Sequence, residues 1–544
     1  MRITNSMMTA NTKANININK TNADRLNTMT ASGQKIVRPS DDPVIAIRAM
    51  RLNTNLTELS QYHDKNIADA EAWYTDTETA LAQTDDVLSA IREKLNQASS
   101  QENVTSNIKD ILEELQQLKT QFYALGNTDC AGRTVFTGYR TGEMLTFQGK
   151  DTINYHIYEN FGIGDLETID YISGKQDVNQ NTPSSFTYDE TAVKNNDVHR
   201  IRLSYDKLNK DEVPTISYVA KKDPAPTDPK EDPYEVKKDI SVTVKSLTGL
   251  SQADKDAIYT NVPDGEAYFI PETGEMIFGA GAYEKVKGAA TLNGAPEPRI
   301  QIEYNKSEWQ KGDLRPEHYF QCNTPVDPKD ERTYSSTYPD GIEYNFNRVD
   351  ENGNPTTAST GTITGFAEQE LTYEIAYNQT IQVNTHASDA YSHDIGRDID
   401  ELINATQLLV DADTKVKTLT SLKDGATNEA DAASYGKMIA AAEKEQALIK
   451  DKVHKMYTSA ITSFKNYSDD LNKQIANIGA LTSRLDMTKS RVKDQQNNVK
   501  KLADENINAD IAETALDYKS AELALEAAQM AAGKIANQTL LNYI

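Results

Sequence analysis

The chain has 544 residues, 82 acidic against 57 basic side chains, and a net charge near −25 at neutral pH. That length exceeds one ordinary core and suggests about three units. The charge repels a nucleic-acid backbone or an anionic membrane, so no nucleic-acid partner is expected. Cys130 and Cys322 are too few for a disulfide framework or a cysteine zinc site. No run of about 18 apolar residues occurs, and the N-terminal "MRITNSMMTANTKANININK" lacks the continuous apolar stretch of a signal peptide, so neither membrane insertion nor a cleaved signal is expected.

The first segment, residues 1–42, is rich in Asn and Thr, and its apolar residues fit no single helical track. It is expected to be weakly structured in the isolated chain. It ends in "SGQKIVRPSDDPVIA" (32–46), where Ser40, Asp41, Asp42 and Pro43 admit two readings. Paired carboxylates could do acid–base chemistry, but no partner or pocket for that is legible. Asp at the N-cap followed by Pro at the first helical position is a helix start, because proline's missing N–H costs nothing there. The carboxylates also favour the positive end of the helix dipole. A helical track follows through Ile45, Ala49, Leu52, Leu56, Leu59, Ala70, Trp73, Ala80, Val87, Ile91 and Ala98. A second helix is predicted over Ile108–Leu125, stopping at Gly126. Residues 43–145 thus form the first half of a helical core.

Fifteen of the 17 prolines lie between Pro183 and Pro355, which leaves long helices possible on either side. Between about 146 and 370, short β-rich runs such as "TISYVA", "DISVTVKSL", "EAYFIPETGEMIFG" and "RIQIEYN" alternate with turn signals at 263–265 and 272–274. This is expected to be an inserted β region of one or two domains. "KKDPAPTDPKEDPYEVKKD" (221–239) is expected to be an exposed loop or linker.

Residues 371–504 supply the second half of the helical core. Its clearest feature is a heptad seam whose core is Val453, Tyr457, Phe464, Tyr467, Leu471, Ile478, Leu485 and Val492, extending to Leu502. The last segment, 505–544, is Ala- and Leu-rich and apolar on more than one face, as expected of an oligomerisation helix. The economical arrangement packs N- and C-terminal helices together into an elongated bundle or coiled coil with the β region inserted between them in sequence, an α+β fold.

Chemistry is hard to find. The seven histidines are scattered without HExxH, and "FGAGAYEK" (278–285) lacks the order of a phosphate-binding loop. "DENGNP" (350–355) suits a turn better than a calcium loop, and "DADTKVKTLTSLKD" (411–424) lacks the EF-hand glycine and glutamate. No catalytic residue, cofactor or metal site is expected.

Five stretches carry a resemblance. "MRITNSMM", "SGQKIVRPSDDPVIAIRAMRL", "GRTVFTGYRTGEMLTF" (132–147) and "LALEAAQMAAGKIANQTLLNYI" resemble the hook-associated protein 3 family, the hook–filament junction proteins of the flagellin superfamily; "ELTYEIAYNQTIQVNTHASDAY" (370–391) is similar to that family's return into its C-terminal helices. Filament flagellins usually read Asp-Asp-Ala-Ala-Gly where this chain has Asp41-Asp42-Pro43, and Thr134 stands where the family usually has an aromatic. The resemblance covers roughly the first 150 and last 175 residues.

It implies a structural, non-enzymatic subunit of the extracellular bacterial flagellum, exported through the flagellar type III route without a cleaved signal. The partners implied are hook-associated protein 1, flagellin, further copies of the chain in a ring, and an export chaperone at the C-terminal helix. The terminal segments, disordered in the monomer, would pair as coiled coils through Ile3, Met7, Ala10, Ala14, Leu516, Leu523, Leu525, Met530, Ile535, Leu540 and Leu541. The alternatives are a filament flagellin, or a flagellin-like protein whose insertion binds glycans.

Overall fold

The computed structural model describes residues 5–99, 105–175, 190–224, 233–295, 298–324, 342–344 and 370–537. Ten helices and fifteen strands, numbered along the chain, are assigned among them. The helices are α1 (Asn5–Ser32), α2 (Pro43–Gln61), α3 (Ile67–Ser99), α4 (Thr105–Leu125), α5 (Gln252–Thr260), α6 (Ala280–Ala290), α7 (Ala387–Ala390), α8 (His393–Asp424), α9 (Glu429–Ile507) and α10 (Ile511–Asn537). Two long helical runs thus flank a β-rich middle, and the fold is α+β. The chain divides into two compact units: one within Met1–Glu71, Tyr373–Ile381 and Leu481–Ile544, the other within Ala72–Thr372 and Gln382–Ala480.

The larger unit holds two sheets and a short ribbon of β1 (Asp129–Cys130) and β2 (Arg133–Thr134). One sheet takes β3 (Tyr155–Phe161), β6 (Thr215–Lys221), β7 (Tyr234–Lys237), β11 (Ile300–Lys306), β12 (Gln321–Thr324) and β13 (Ile342–Tyr344), in the antiparallel order β13-β12-β3-β11-β6-β7. The other takes β4 (Leu166–Ser173), β5 (Lys194–Arg202), β8 (Ser241–Val244), β9 (Glu266–Ile270) and β10 (Glu275–Phe278), in the order β4-β5-β10-β9-β8 with only β8–β9 parallel. The two sets of strands interleave along the chain, so the insertion is not two domains in succession. Alternation fixes the faces: Ile300, Ile302, Tyr304 and Lys306 of β11 point inward. Beside them Trp309 stacks on Phe147 at 4.8 Å and takes Tyr155 and Tyr205 edge-on.

The turns expected at 263–265 and 272–274 are present. Gly274 closes the β9–β10 hairpin at φ +65°, where a Cβ would stand 1.9 Å from the Tyr205 carbonyl oxygen. The supposed loop at 221–239 is partly a strand instead. Tyr234–Lys237 pairs with β6 as an edge strand, and because Pro233 stands just ahead of it, no ladder donor is lost. Residues 411–424 lie within α8, which rules out a calcium loop there, and 350–355 fall outside the described residues.

Charged side chains fasten the sheet to the helices. Arg200 of β5 donates to Glu167 (2.7 Å), Glu275 (2.5 Å) and Glu401 (2.6 Å), and Arg202 donates to Glu401 (2.9 Å). Burial alone would raise the Glu401 carboxyl, but the two guanidiniums pull it down to about 2. The part of α9 up to Ala480 is held in the same unit by Tyr457 to Thr406 (2.8 Å), Tyr467 to Asp398 (2.9 Å) and Ser468 to Asp85 (2.8 Å).

On the seam, Val453, Tyr457, Phe464, Leu471, Ile478, Leu485 and Val492 are buried and Tyr467 is half-buried. The seam does not hold to its end, since Leu502 is exposed and Ala503 is buried. A straight α-helix drifts by about 20° per heptad, so seven heptads from Val453 displace the strict repeat by about 140°.

Candidate assembly surface

The smaller unit contains the residues singled out as assembly and start signals. Asp42 caps α2, its Oδ1 accepting from the N–H of Val44 (2.9 Å) and Ile45 (3.2 Å), with Pro43 as the first helical residue. Asp41 has a separate task that sequence did not distinguish. Its Oδ2 accepts from the N–H groups of Val37 (3.1 Å) and Arg38 (2.8 Å), and those bonds hold its carboxyl below the usual range. Ser40 is exposed in the same turn. The two aspartates therefore brace a corner, and neither faces the other as an acid–base pair.

Ahead of that corner, the segment expected to be weakly structured forms α1, a 28-residue helix. Its propensity is poor, but α10 gives it a partner, and helices of this kind take their stability from packing. Ala23 and Leu26 of α1 bury against Ala521 of α10, with Met29, Tyr518 and Leu525 packed around them. The pair is stitched where α9 breaks into α10. Gln34 bridges Asn508, Lys35 N–H donates to the Ile507 carbonyl (2.7 Å), and Ala509 N–H donates to that of Gly33 (2.9 Å). Gly33 ends α1 at φ +71°, and Asp510 caps α10 through Ala512 N–H (2.9 Å) and Glu513 N–H (3.2 Å).

Two stripes now separate on each helix. On α10 the paired face runs through Thr514, Tyr518, Ala521, Leu525 and Ala528. Leu516, Leu523 and Met530 are 71%, 65% and 67% exposed. They repeat every seven residues and stand about 200° around from the buried stripe at 100° per residue. On α1 the paired face carries Ile16, Ala23 and Leu26, while Met7, Ala10, Ala14 and Ile18 share a second, exposed stripe. Two superposed tracks are why residues 1–30 fit no single one. Most of the assembly residues chosen from sequence lie on the exposed stripes. Leu525 lies on the paired face, and Ile3, Leu540, Leu541 and the side chain of Ile535 are outside the described residues.

A corner of this unit was not foreseen. Residues Tyr62–Asn66, between α2 and α3, form a π-helical turn, a departure from α geometry that recurs where side chains are re-aimed. Tyr62 hydroxyl and Asn66 amide both donate to Glu374, at 3.2 and 2.7 Å. Glu374 belongs to the hairpin of β14 (Thr372–Ala376) and β15 (Gln379–Gln382), which turns on Tyr377 and on Asn378 at φ +53°. Arg484 and Arg491 of α9 reach the Thr380 carbonyl and the Gln379 side chain of the same hairpin. No helix among the described residues is long and apolar enough to cross a membrane.

Residues 3–141 match the family model of the bacterial flagellin N-terminal helical region. Flagellar hook-associated protein 3 of Salmonella typhimurium is 29% identical over 161 residues, 29% of this chain and 49% of that protein. Residues 3–141 thus carry a flagellin-type N-terminal helical region. The Escherichia coli flagellar hook-associated protein 3 is 30% identical over 112 residues, 20% of this chain and 35% of that one. A flagellin of Clostridium tyrobutyricum is 24% identical over 225 residues, 36% of this chain and 59% of that one. The chain spans about half the length of the first curated relative it matches. A crystal structure of Xanthomonas campestris FlgL aligns over 84% of this chain and 99% of that one at 12% identity, with a TM-score of 0.28.

Proposed function

We propose that this chain is a non-enzymatic structural subunit of the bacterial flagellum, polymerising at the hook–filament junction between hook-associated protein 1 and flagellin. The observation that carries this reading is the second apolar stripe on each terminal helix. Leu516, Leu523 and Met530 on α10, with Ile18 on α1, are too regular for scattered surface residues, and they stay exposed among the described residues. A helix paired on one side and apolar on the other has a vacancy for a further helix, so neighbouring copies would complete a coiled-coil layer. Pro43 in place of the usual flagellin alanine supports the junction over the filament. An extracellular address, type III export without a cleaved signal and a chaperone covering α10 before export belong to the same reading, whereas terminal segments that order only on assembly do not, since α1 and α10 already pair within the single chain.

The test is deletion of the gene in the bacterium that encodes it. Hooks should remain while filaments are lost and flagellin leaks into the medium; intact filaments in the deletion strain would refute the junction role. The match to a Clostridium flagellin favours a second reading, filament flagellin, and long filaments grown from the purified chain alone would select it.

A further inference from the structure

The segment 132–147, which carries one of the flagellin-like motifs, packs in the larger unit beside the short 3-10 turn Pro316–His318. Thr134 ties its loop together by bonding the carbonyls of Thr141 (3.1 Å) and Glu143 (2.8 Å), and Arg140 Nη1 donates to the Glu317 carbonyl (2.7 Å). Glu143, Glu317 and His318 come together there, their ligand atoms all within 4.8 Å of one another.

Three buried atoms in this cluster have no hydrogen-bond partner: Glu143 Oε2, Glu317 Oε2 and His318 Nδ1. Glu317 and His318 are 0% and 1% exposed, so bulk water does not satisfy them. The histidine's tautomer follows from geometry. His318 Nε2 lies 3.2 Å from the Met144 carbonyl oxygen, which can only accept, so the proton sits on Nε2 and Nδ1 presents a bare lone pair. An imidazole oriented by a backbone carbonyl through one nitrogen, with the other free, is how histidine is held as a metal ligand.

We propose that Glu143, Glu317 and His318 form a binding site for one divalent transition-metal cation of the Zn2+ class. Two carboxylate oxygens and an imidazole suit Zn2+ and its neighbours better than Ca2+ or Mg2+, which take oxygen ligands. Ligands about 2.0–2.2 Å from one Zn2+ stand at most about 4.4 Å apart, so the cluster must draw in slightly. The Glu143 side chain, 44% exposed, supplies that movement and an open side for a water as fourth ligand. Arg315 Nη1 lies 3.0 Å from Glu317 Oε1 and 3.6 Å from Glu143 Oε2. It offsets one of the two negative charges and leaves Glu317 Oε2 for the ion. The cation would lock the 132–147 segment to the 3-10 turn within the larger unit.

The full-length chain, stripped with chelator and dialysed against micromolar Zn2+, should retain metal at one ion per chain, and Co2+ in its place should give a saturable visible absorption band. Glu143→Gln should weaken binding about tenfold or more while leaving the metal-free melting midpoint unchanged, because that side chain is partly exposed. Two results overturn the site: equal Zn2+ retention and an unchanged Co2+ spectrum in Glu143→Gln, which places the ion on other histidines, or no saturable binding by the wild type. The second would leave the two carboxylates to Arg315 and Arg140 and a trapped water on Nδ1.

Discussion

Replacing Leu516, Leu523 and Met530 together by Ser separates assembly from folding more cleanly than any other change in this chain. The three side chains are about two-thirds exposed, so removing them takes little from the packed state of the single chain. Fully burying a Leu or Met side chain stabilises by about 1.5–3 kcal/mol, so covering the exposed part of all three against a neighbour is worth about 3–6 kcal/mol per contact. Association should then weaken by about two to four powers of ten. Circular dichroism melts should show a midpoint within about 2 °C of wild type, since surface changes of this kind stay near 0.5 kcal/mol. Sedimentation and electron microscopy of complemented cells should show no assembly at hooks. The contrasting change, Leu525→Ser, strikes the paired face and should lower protection of α1 from proteolysis in the single chain. If the triple variant restores filaments as well as wild type, or if it loses α1–α10 protection as Leu525→Ser does, the division into two stripes is wrong.

Asp42→Ala should cost about 1 kcal/mol through two lost cap bonds, seen as faster amide exchange in the first turn of α2. A complete loss of function with folding intact would instead reopen a catalytic role for the pair. Phe464→Ala, at a fully buried seam position, should destabilise the larger unit by about 3–5 kcal/mol in denaturant unfolding. Gly274→Ala should destabilise by more than about 1 kcal/mol, because φ is +65° and the new methyl would overlap the Tyr205 carbonyl. The Glu401 carboxyl lies lower in the folded chain, at about 2, than its ordinary 4.5. Its contribution is therefore fully present above pH 4.5 and is lost as pH falls toward 2, so acid titration should loosen β5 from α8, and Glu401→Gln should flatten that part of the profile.

Local signals in the sequence determined a great deal here. Asp42-Pro43 sets the start of α2 because a cap is completed within four residues, and the absence of proline after Pro355 permits the 79-residue α9. The hairpin at 272–274 and the buried seam from Val453 to Val492 are likewise short-range patterns that burial on one face must satisfy. Where pairing partners are distant in sequence, the tertiary structure decided. It made a helix of residues 5–32 by bringing α10 beside them, sorted two overlapping apolar tracks into a paired and an exposed stripe, and turned Tyr234–Lys237 from a loop into an edge strand. It also brought His318 to Glu143 across more than 170 residues, a juxtaposition that spacing along the chain cannot encode. The physical reason is the same in each case: propensity and periodicity state which face of an element is apolar, and only the packed chain states what covers it.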